Sequence, residues 1–108
     1  MIVSGFVLRG KGEGKKLGFP TANITLGLPI PSGVYAGTVS YRDKVYKAAL
    51  FIDTARELLE AHLLGFSGNL YGQRIAVEVG RKIRDAVPYD NAANMSARIR
   101  ADIQSITA

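Results

Sequence analysis

Two polar residues near the start of the chain carry its first chemical signal. Thr21 and Asn23 stand two residues apart in the run Pro20-Thr21-Ala22-Asn23. On an extended backbone, residues two apart point to the same side, so the hydroxyl and the amide carbonyl can face one ligand. Both are hard oxygen ligands, of the kind that Mg²⁺ takes when it is shared with nucleotide phosphates. The alternative is that both side chains bond only to nearby backbone, as these residue types often do in turns.

The segment before this pair is rich in glycine and contains Gly10, Gly12, Gly14 and Gly18. Glycine lets the backbone approach a ligand closely, and consecutive amides in such a segment can form an anion-binding nest. The spacing does not fit a Walker loop, and no strand-helix-strand unit surrounds the glycines as a dinucleotide fingerprint requires. The segment is therefore either a phosphate-binding loop of another kind or a turn-rich connector.

Four stretches of the chain are candidates for the strands that position Thr21, Asn23 and the glycine-rich segment. They are rich in β-branched and aromatic residues or alternate between polar and apolar residues, and they span residues 2–9, 33–41, 44–52 and 73–80. Such composition and alternation predict strands. Only Arg42 and Asp43 separate the second stretch from the third, which indicates a hairpin. The long segment 10–32 is dense in glycine and proline, and we expect it to be too irregular for a helix or a central strand. Long ordered loops in small domains are usually functional.

Residues 54–66 fit two structures. Thr54 and Glu57 have the spacing of a capping box, and the apolar residues follow a helical stripe, so the local pattern favours a helix. A strand would instead separate apolar from polar residues, with Leu59, Ala61 and Leu63 on the face opposite Glu60 and His62.

The C-terminal stretch predicts an amphipathic helix. Its apolar residues recur every three or four positions, at Met95, Ile99, Ile103 and Ile106. Asp90 and Asn91 precede the stripe as candidate N-caps. We interpret the stripe as a packing face.

Composition narrows the class of protein. The 108 residues suit one domain spanning 1–108, and we expect a monomer. The absence of cysteine and the single histidine, His62, leave little for a transition-metal site, so any metal should be Mg²⁺. We interpret His62 as structural. Without a membrane-length apolar run or a signal peptide, the expected location is the cytoplasm.

The formal charge of +5 favours anionic partners, either nucleotide phosphates or nucleic acid. The basic residues cluster at Lys11, Lys15 and Lys16 and at Arg81, Lys82 and Arg84. No aromatic residues are interleaved with them as a base-stacking surface would require, which disfavours nucleic acid.

Several strings in order along the chain resemble the riboflavin kinase family: Gly18-Phe19-Pro20-Thr21-Ala22-Asn23, Gly33-Val34-Tyr35, Glu60-Ala61-His62-Leu63, Leu70-Tyr71-Gly72 and Ile83-Arg84-Asp85. The resemblance covers nearly all 108 residues, and its first string is highly specific. It implies a mainly β fold, a six-stranded antiparallel Greek-key barrel with the C-terminal helix packed outside. It also implies that the residues around 60–64 form a barrel strand despite their helical pattern.

The resemblance further implies a Mg²⁺-dependent transfer of phosphate from ATP to riboflavin, giving FMN and ADP. Thr21 and Asn23 would hold the metal and phosphate, and Glu60 would be the catalytic base that accepts the proton of the ribityl 5′-hydroxyl. Nucleotide binding would involve Gly12, Gly14, Lys16, Gly18 and Pro20 together with Thr21 and Asn23. Arg84 and Asp85 correspond to a segment near the flavin.

Departures from the family pattern and the charge of +5 leave two rival functions open. The loop 53–57 is shorter than is usual, Gly65 stands where an Asp is frequent, and Ala86 replaces an acidic residue. A non-catalytic barrel that binds flavin or nucleotide is the first rival. A small RNA-binding barrel is the second, and it predicts an affinity that falls steeply with salt.

Overall fold

The computed structural model describes residues 1–10 and 12–107, and for residues 13 and 14 it describes the backbone alone. Lys11, one of the clustered basic residues, lies outside this part of the chain. The strands are β1 (Ile2–Phe6), β2 (Ala22–Thr25), β3 (Gly33–Tyr41), β4 (Lys44–Asp53), β5 (Leu58–Leu63) and β6 (Arg74–Arg84). The helices are α1 (Glu13–Lys16) and α2 (Ala92–Thr107).

The six strands form one antiparallel sheet in the order β1-β6-β3-β4-β5-β2. β3, β4 and β5 follow one another as neighbours, and β6 returns beside β3, which is the Greek-key arrangement. The two ends of the sheet meet where the Leu8 amide donates to the Asn23 carbonyl at 2.7 Å. This bridge nearly closes the sheet into a barrel, so the predicted fold class is confirmed.

Alternating residues of the strands fill the barrel. Ile24, Val39, Leu59 and Val77 are fully shielded from solvent, and all belong to one apolar cluster. Because side chains alternate between the two faces of a strand, the residues between them point outward. The polar residues of the candidate site are among these outward-pointing groups.

β5 decides the ambiguous segment in favour of a strand. It buries Leu59, Ala61 and Leu63 and leaves Glu60 and His62 half-buried. β5 lies between β4 and β2 and pairs with both. Ladder hydrogen bonds on both sides and burial of one whole face outweigh a weak local helix preference.

The prediction for segment 10–32 was partly wrong. Residues Glu13–Lys16 form one helical turn, and Ala22–Thr25 form a strand. Neither element is long enough to leave a periodic signature in the sequence. β2 occupies the end of the sheet order rather than its centre, and it is held by pairing with β5.

The predicted C-terminal helix is confirmed. The Asn91 side chain caps it by accepting a hydrogen bond from the Asn94 amide at 2.9 Å. α2 packs against β4 on the outside of the barrel. Val34, Ala49 and Ile99 are buried but lie outside the barrel's core cluster, which marks a second, smaller apolar layer beneath the helix.

Neither helix in the described part of the chain has the length and apolar character needed to span a membrane.

Candidate active site

Pairing of β2 with β5 brings together three residues that the sequence analysis singled out. Asn23 and Glu60 are direct cross-strand partners. The Thr21 hydroxyl, 39 residues from Glu60 along the chain, lies 3.4 Å from Glu60 Oε1. The same hydroxyl lies 3.3 Å from the side-chain amide of Asn23, which is buried. We call Thr21, Asn23 and Glu60 the polar triad.

Only one orientation of the Asn23 side-chain amide forms hydrogen bonds with all of its polar neighbours. Its nitrogen then donates to Glu60 Oε1 at 3.2 Å and to Thr21 Oγ1 at 3.3 Å, while its oxygen accepts from the Gly10 amide at 3.3 Å. We favour this orientation because a carboxylate can only accept and a backbone N–H can only donate. Rotating the amide by half a turn directs its oxygen towards Thr21 and Glu60, which is the orientation that offers an oxygen ligand to a cation.

Thr21 and Asn23 of the polar triad fit Mg²⁺ by their chemistry and spacing. They supply a hydroxyl and an amide oxygen, both hard oxygen ligands. An octahedral ion with ligands at about 2.1 Å places adjacent oxygens about 3 Å apart, close to the separations within the triad. The described residues contain no group of three His, Cys, Asp or Glu that could hold a metal alone. A bound Mg²⁺ would therefore take its other ligands from phosphate and water.

A cavity of about 790 Å³ opens beside the triad. Its walls come from the glycine-rich segment, from β2 and β5, and from the segment 66–71 that follows β5. Of the predicted nucleotide-binding residues, Gly12, Pro20, Thr21 and Asn23 line it. The volume lies within the range of ligand pockets, about 300–1,000 Å³.

Two other predicted nucleotide-binding residues lie outside the cavity. Lys16 and Gly18 are exposed and do not line the cavity. Gly14 lies within α1. Lys15 lines the cavity in place of Lys16, because one turn of helix α1 directs neighbouring residues to different sides.

Sequence reasoning missed the opposite wall of the cavity. The Arg9 guanidinium lies 4.5 Å from the centre of the Tyr71 ring, so it stacks over that ring. Phe66 contributes to the same wall, where its ring packs edge-on against Tyr46 and Tyr41. Two aromatic residues in the loop between β5 and β6 were the available signal, but only the folded chain brings them and Arg9 to one cavity.

A row of paired residues runs from the triad across the outer face of the barrel. Glu60 pairs with Phe51, Phe51 with Val34, and Val34 with Arg84. With neighbouring strands about 4.8 Å apart, the two ends of the row are separated by roughly 14 Å. We call Glu60, Phe51, Val34 and Arg84 the outer row.

The predicted flavin-binding residues lie at the far end of the outer row. Arg84 forms a two-pronged ion pair with Asp102 of α2, with Nε–Oδ1 at 2.9 Å and Nη2–Oδ2 at 2.8 Å. Asp85 is exposed and pairs with Lys82 at 2.6 Å, and this hydrogen bond lowers the pKa of Asp85. The fold thus places Arg84 at the opposite end of the outer row from Glu60, apart from the whole polar triad, and Asp85 follows Arg84 just beyond the end of β6.

The short connection between β4 and β5 is held against the segment before β3. The Thr54 hydroxyl bonds to the Ile30 carbonyl, and the Thr54 amide donates to Ser32 Oγ at 2.8 Å. Glu57 has a positive φ of 51°, and its carbonyl accepts a hydrogen bond from the Leu26 amide at 2.8 Å. Hydrogen bonds to residues 26, 30 and 32 therefore hold this connecting turn in place.

The chain matches a known family over its whole length and individual relatives over most of it. The sequence model of the family described as Flavokinase: Riboflavin kinase matches residues 1–108. A bifunctional riboflavin kinase/FMN adenylyltransferase of Buchnera aphidicola is 35% identical, covering 96% of this chain and 37% of the relative. A protein of the same description from Mycoplasma pneumoniae is 35% identical, covering 93% of this chain and 39% of the relative. The chain thus spans well under half the length of these two relatives.

A solved structure has the same fold. The crystal structure of a macrolide-efflux protein from Streptococcus pneumoniae superposes with a TM-score of 0.88, over 98% of this chain and 38% of that chain. The two sequences are 24% identical, so this likeness concerns the fold alone.

Proposed function

This chain belongs to the riboflavin kinase family, and on that premise we propose that it transfers the γ-phosphate of ATP to riboflavin in a Mg²⁺-dependent reaction. The observation that carries the proposal is the position of the polar triad. Thr21 and Asn23 line the cavity, whereas their partner Glu60 belongs to the outer row. A donor nucleotide in the cavity and an acceptor on the outer row would meet at the triad.

The cavity suits the nucleotide. Lys15 and Arg9 bring positive charge to its walls, and Gly10 and Gly12 allow a phosphate chain to approach the backbone. Thr21 and Asn23 would hold Mg²⁺ at the end of the cavity nearest Glu60. When bound, the ion neutralises charge on the phosphates and polarises the group to be transferred.

Glu60 would act on the acceptor. In the proposed reaction its carboxylate accepts the proton of the riboflavin 5′-hydroxyl while that oxygen forms a bond to the γ-phosphorus. The bond from this phosphorus to the β,γ-bridging oxygen breaks, and ADP leaves. The isoalloxazine ring would lie along the outer row near Phe51, towards Arg84 and Asp85.

The test is incubation of the purified protein with riboflavin, ATP and Mg²⁺, followed by chromatography for FMN. We expect FMN with the wild type and little with EDTA, with Glu60→Ala or with Asn23→Ala. Riboflavin binding without FMN under varied nucleotides and metals would contradict the proposal and favour a binding module. RNA binding that weakens steeply with salt, without FMN, would favour the RNA-binding alternative.

Gly10→Ala is expected to lower FMN formation by about 10²-fold, since misplacing a catalytic group by about 1 Å has effects of that size. A methyl group at this position would overlap the side-chain amide of Asn23 and displace it from the triad. The measurement is kcat/KM for MgATP, with Gly5→Ala as the matched control. A methyl group on Gly5 meets Ile24 at an ordinary 3.8 Å. Equal activity of both variants would show that the Asn23 position is unimportant.

A further inference from the structure

The histidine of β5 holds the segment that carries Thr21. His62 Nδ1 lies 2.8 Å from the carbonyl oxygen of Pro20. The imidazole also packs edge-on against Phe19, with ring centres 5.6 Å apart and planes at 85°. A carbonyl oxygen can only accept, so Nδ1 carries the proton in this contact. One side chain therefore contacts the two residues that immediately precede Thr21.

This contact acts where the strand ladder does not reach. β2 begins at Ala22, so Pro20 and Thr21 precede its pairing with β5. The Pro20 carbonyl and the Thr21 amide belong to one planar peptide unit. A hydrogen bond that fixes the carbonyl therefore also fixes the direction of the Thr21 N–H and the position of its Cα. The hydrogen bonds of the Thr21 hydroxyl are long, at 3.3 and 3.4 Å. The hydrogen bond from His62 to the Pro20 carbonyl is shorter, at 2.8 Å, and therefore constrains the position of Thr21 more strongly than the bonds of its own hydroxyl.

We propose that His62 is a positioning residue, whose Nδ1–H holds the Pro20 carbonyl and thereby sets the Thr21 hydroxyl for the nucleotide phosphates and their metal ion. Although His62 lines the cavity, its effect comes through Nδ1 and the backbone. The inference rests on the proposed function for its consequence in catalysis. The placement of Thr21 itself can be measured without any turnover.

The two ring nitrogens can be separated by substitution. An Asn side-chain nitrogen is as many bonds from the backbone as His Nδ1, whereas a Gln nitrogen reaches as far as Nε2. We expect His62→Asn to keep kcat/KM for MgATP within about threefold, and His62→Gln and His62→Ala to lose roughly 10- to 100-fold. KM for riboflavin should stay within about twofold in all three, because the change concerns the nucleotide side of the triad.

Several outcomes would overturn the inference. Activity kept by Gln and lost by Asn would assign the effect to Nε2, and activity kept by Ala would remove any role. Equal losses in all three variants, with a matching fall in melting temperature, would reduce His62 to a packing residue. Asn and Gln are both polar, so comparison of these two remains informative if Ala fails to fold.

The backbone amide resonance of Thr21 in ¹H–¹⁵N spectra gives a readout independent of activity. Both His62→Asn and His62→Gln lose the ring current of the imidazole, so we expect the resonance to move in both, and to move further in His62→Gln, where the bond to Pro20 is also lost. Equal displacements in the two variants would contradict the positioning role. A wild-type protein that forms no FMN would contradict the proposed function alone, because the Thr21 resonance would still decide the placement.

Discussion

Glu60→Gln is expected to lose about 10²- to 10⁴-fold in kcat, the usual contribution of a general base. Gln keeps the shape of the side chain on β5 and can still bond to Thr21 and Asn23, but its amide cannot take the proton of the acceptor hydroxyl. Glu60 lies on the outer row and is not among the residues that line the cavity. The affinity for MgADP, measured by titration calorimetry, should therefore change by no more than about threefold.

Glu57→Gln is the matched control. Glu57 is an exposed carboxylate in the turn just before β5, so its neutralisation tests the general effect of removing one negative charge nearby. It should leave kcat within about twofold, because Glu57 belongs to neither the polar triad nor the outer row. A Glu60→Gln protein with near wild-type kcat would contradict the assignment of Glu60 as the base. Parallel losses in the two variants would point to charge rather than proton transfer.

Arg84→Met is expected to lower the free energy of unfolding by about 3–5 kcal/mol. Asp102 is 3% exposed on the barrel side of α2, and Arg84 satisfies both its carboxylate oxygens. Removing only the guanidinium would leave a buried carboxylate without its cationic partner. Urea denaturation followed by circular dichroism measures the loss, and an unchanged m-value would confirm that stability alone has changed.

Two further variants define what the Arg84 result means. Arg100→Met removes an exposed Arg from the same helix and should change stability by less than about 0.5 kcal/mol. The double variant Arg84→Met/Asp102→Leu should recover most of the loss, because apolar residues often replace a buried ion pair without cost. A double variant as unstable as the single one would contradict this explanation. If the recovered double variant binds riboflavin weakly, Arg84 also contributes to the flavin site.

Much of the barrel could be predicted from the sequence because strand alternation is a local property. β3, β4 and the turn at Arg42 and Asp43 are examples. β2 and α1 could not be predicted, because each has only four residues and a periodic pattern cannot be recognised over so short a stretch. β6 continues to Arg84, beyond the predicted end at residue 80, through an irregular pairing with β3. Gly80 permits this, because a Cβ there would lie 2.7 Å from the Ala36 carbonyl oxygen.

The site was predictable only in part. The spacing of Thr21 and Asn23 suggested a shared ligand, but their meeting with Glu60 depends on the β2–β5 register, which no local pattern reveals. The family resemblance supplied that link. The partnership of Arg84 and Asp102 was missed, although an Asp beside Ile99 and Ile103 in an apolar stripe was a detectable sign of a buried charge. The bond from His62 to Pro20 depends on side-chain direction and left no sign in the sequence.

The most direct test of the central claim is a single-turnover reaction with ATP labelled at its γ-phosphate, Mg²⁺ and an excess of protein and riboflavin. If the polar triad joins a donor cavity to an acceptor row, the label should appear in FMN, at a rate that depends on riboflavin and falls in Glu60→Gln. Label that stays in ATP, or that is released only as inorganic phosphate while riboflavin is bound, would contradict direct phosphoryl transfer at this site.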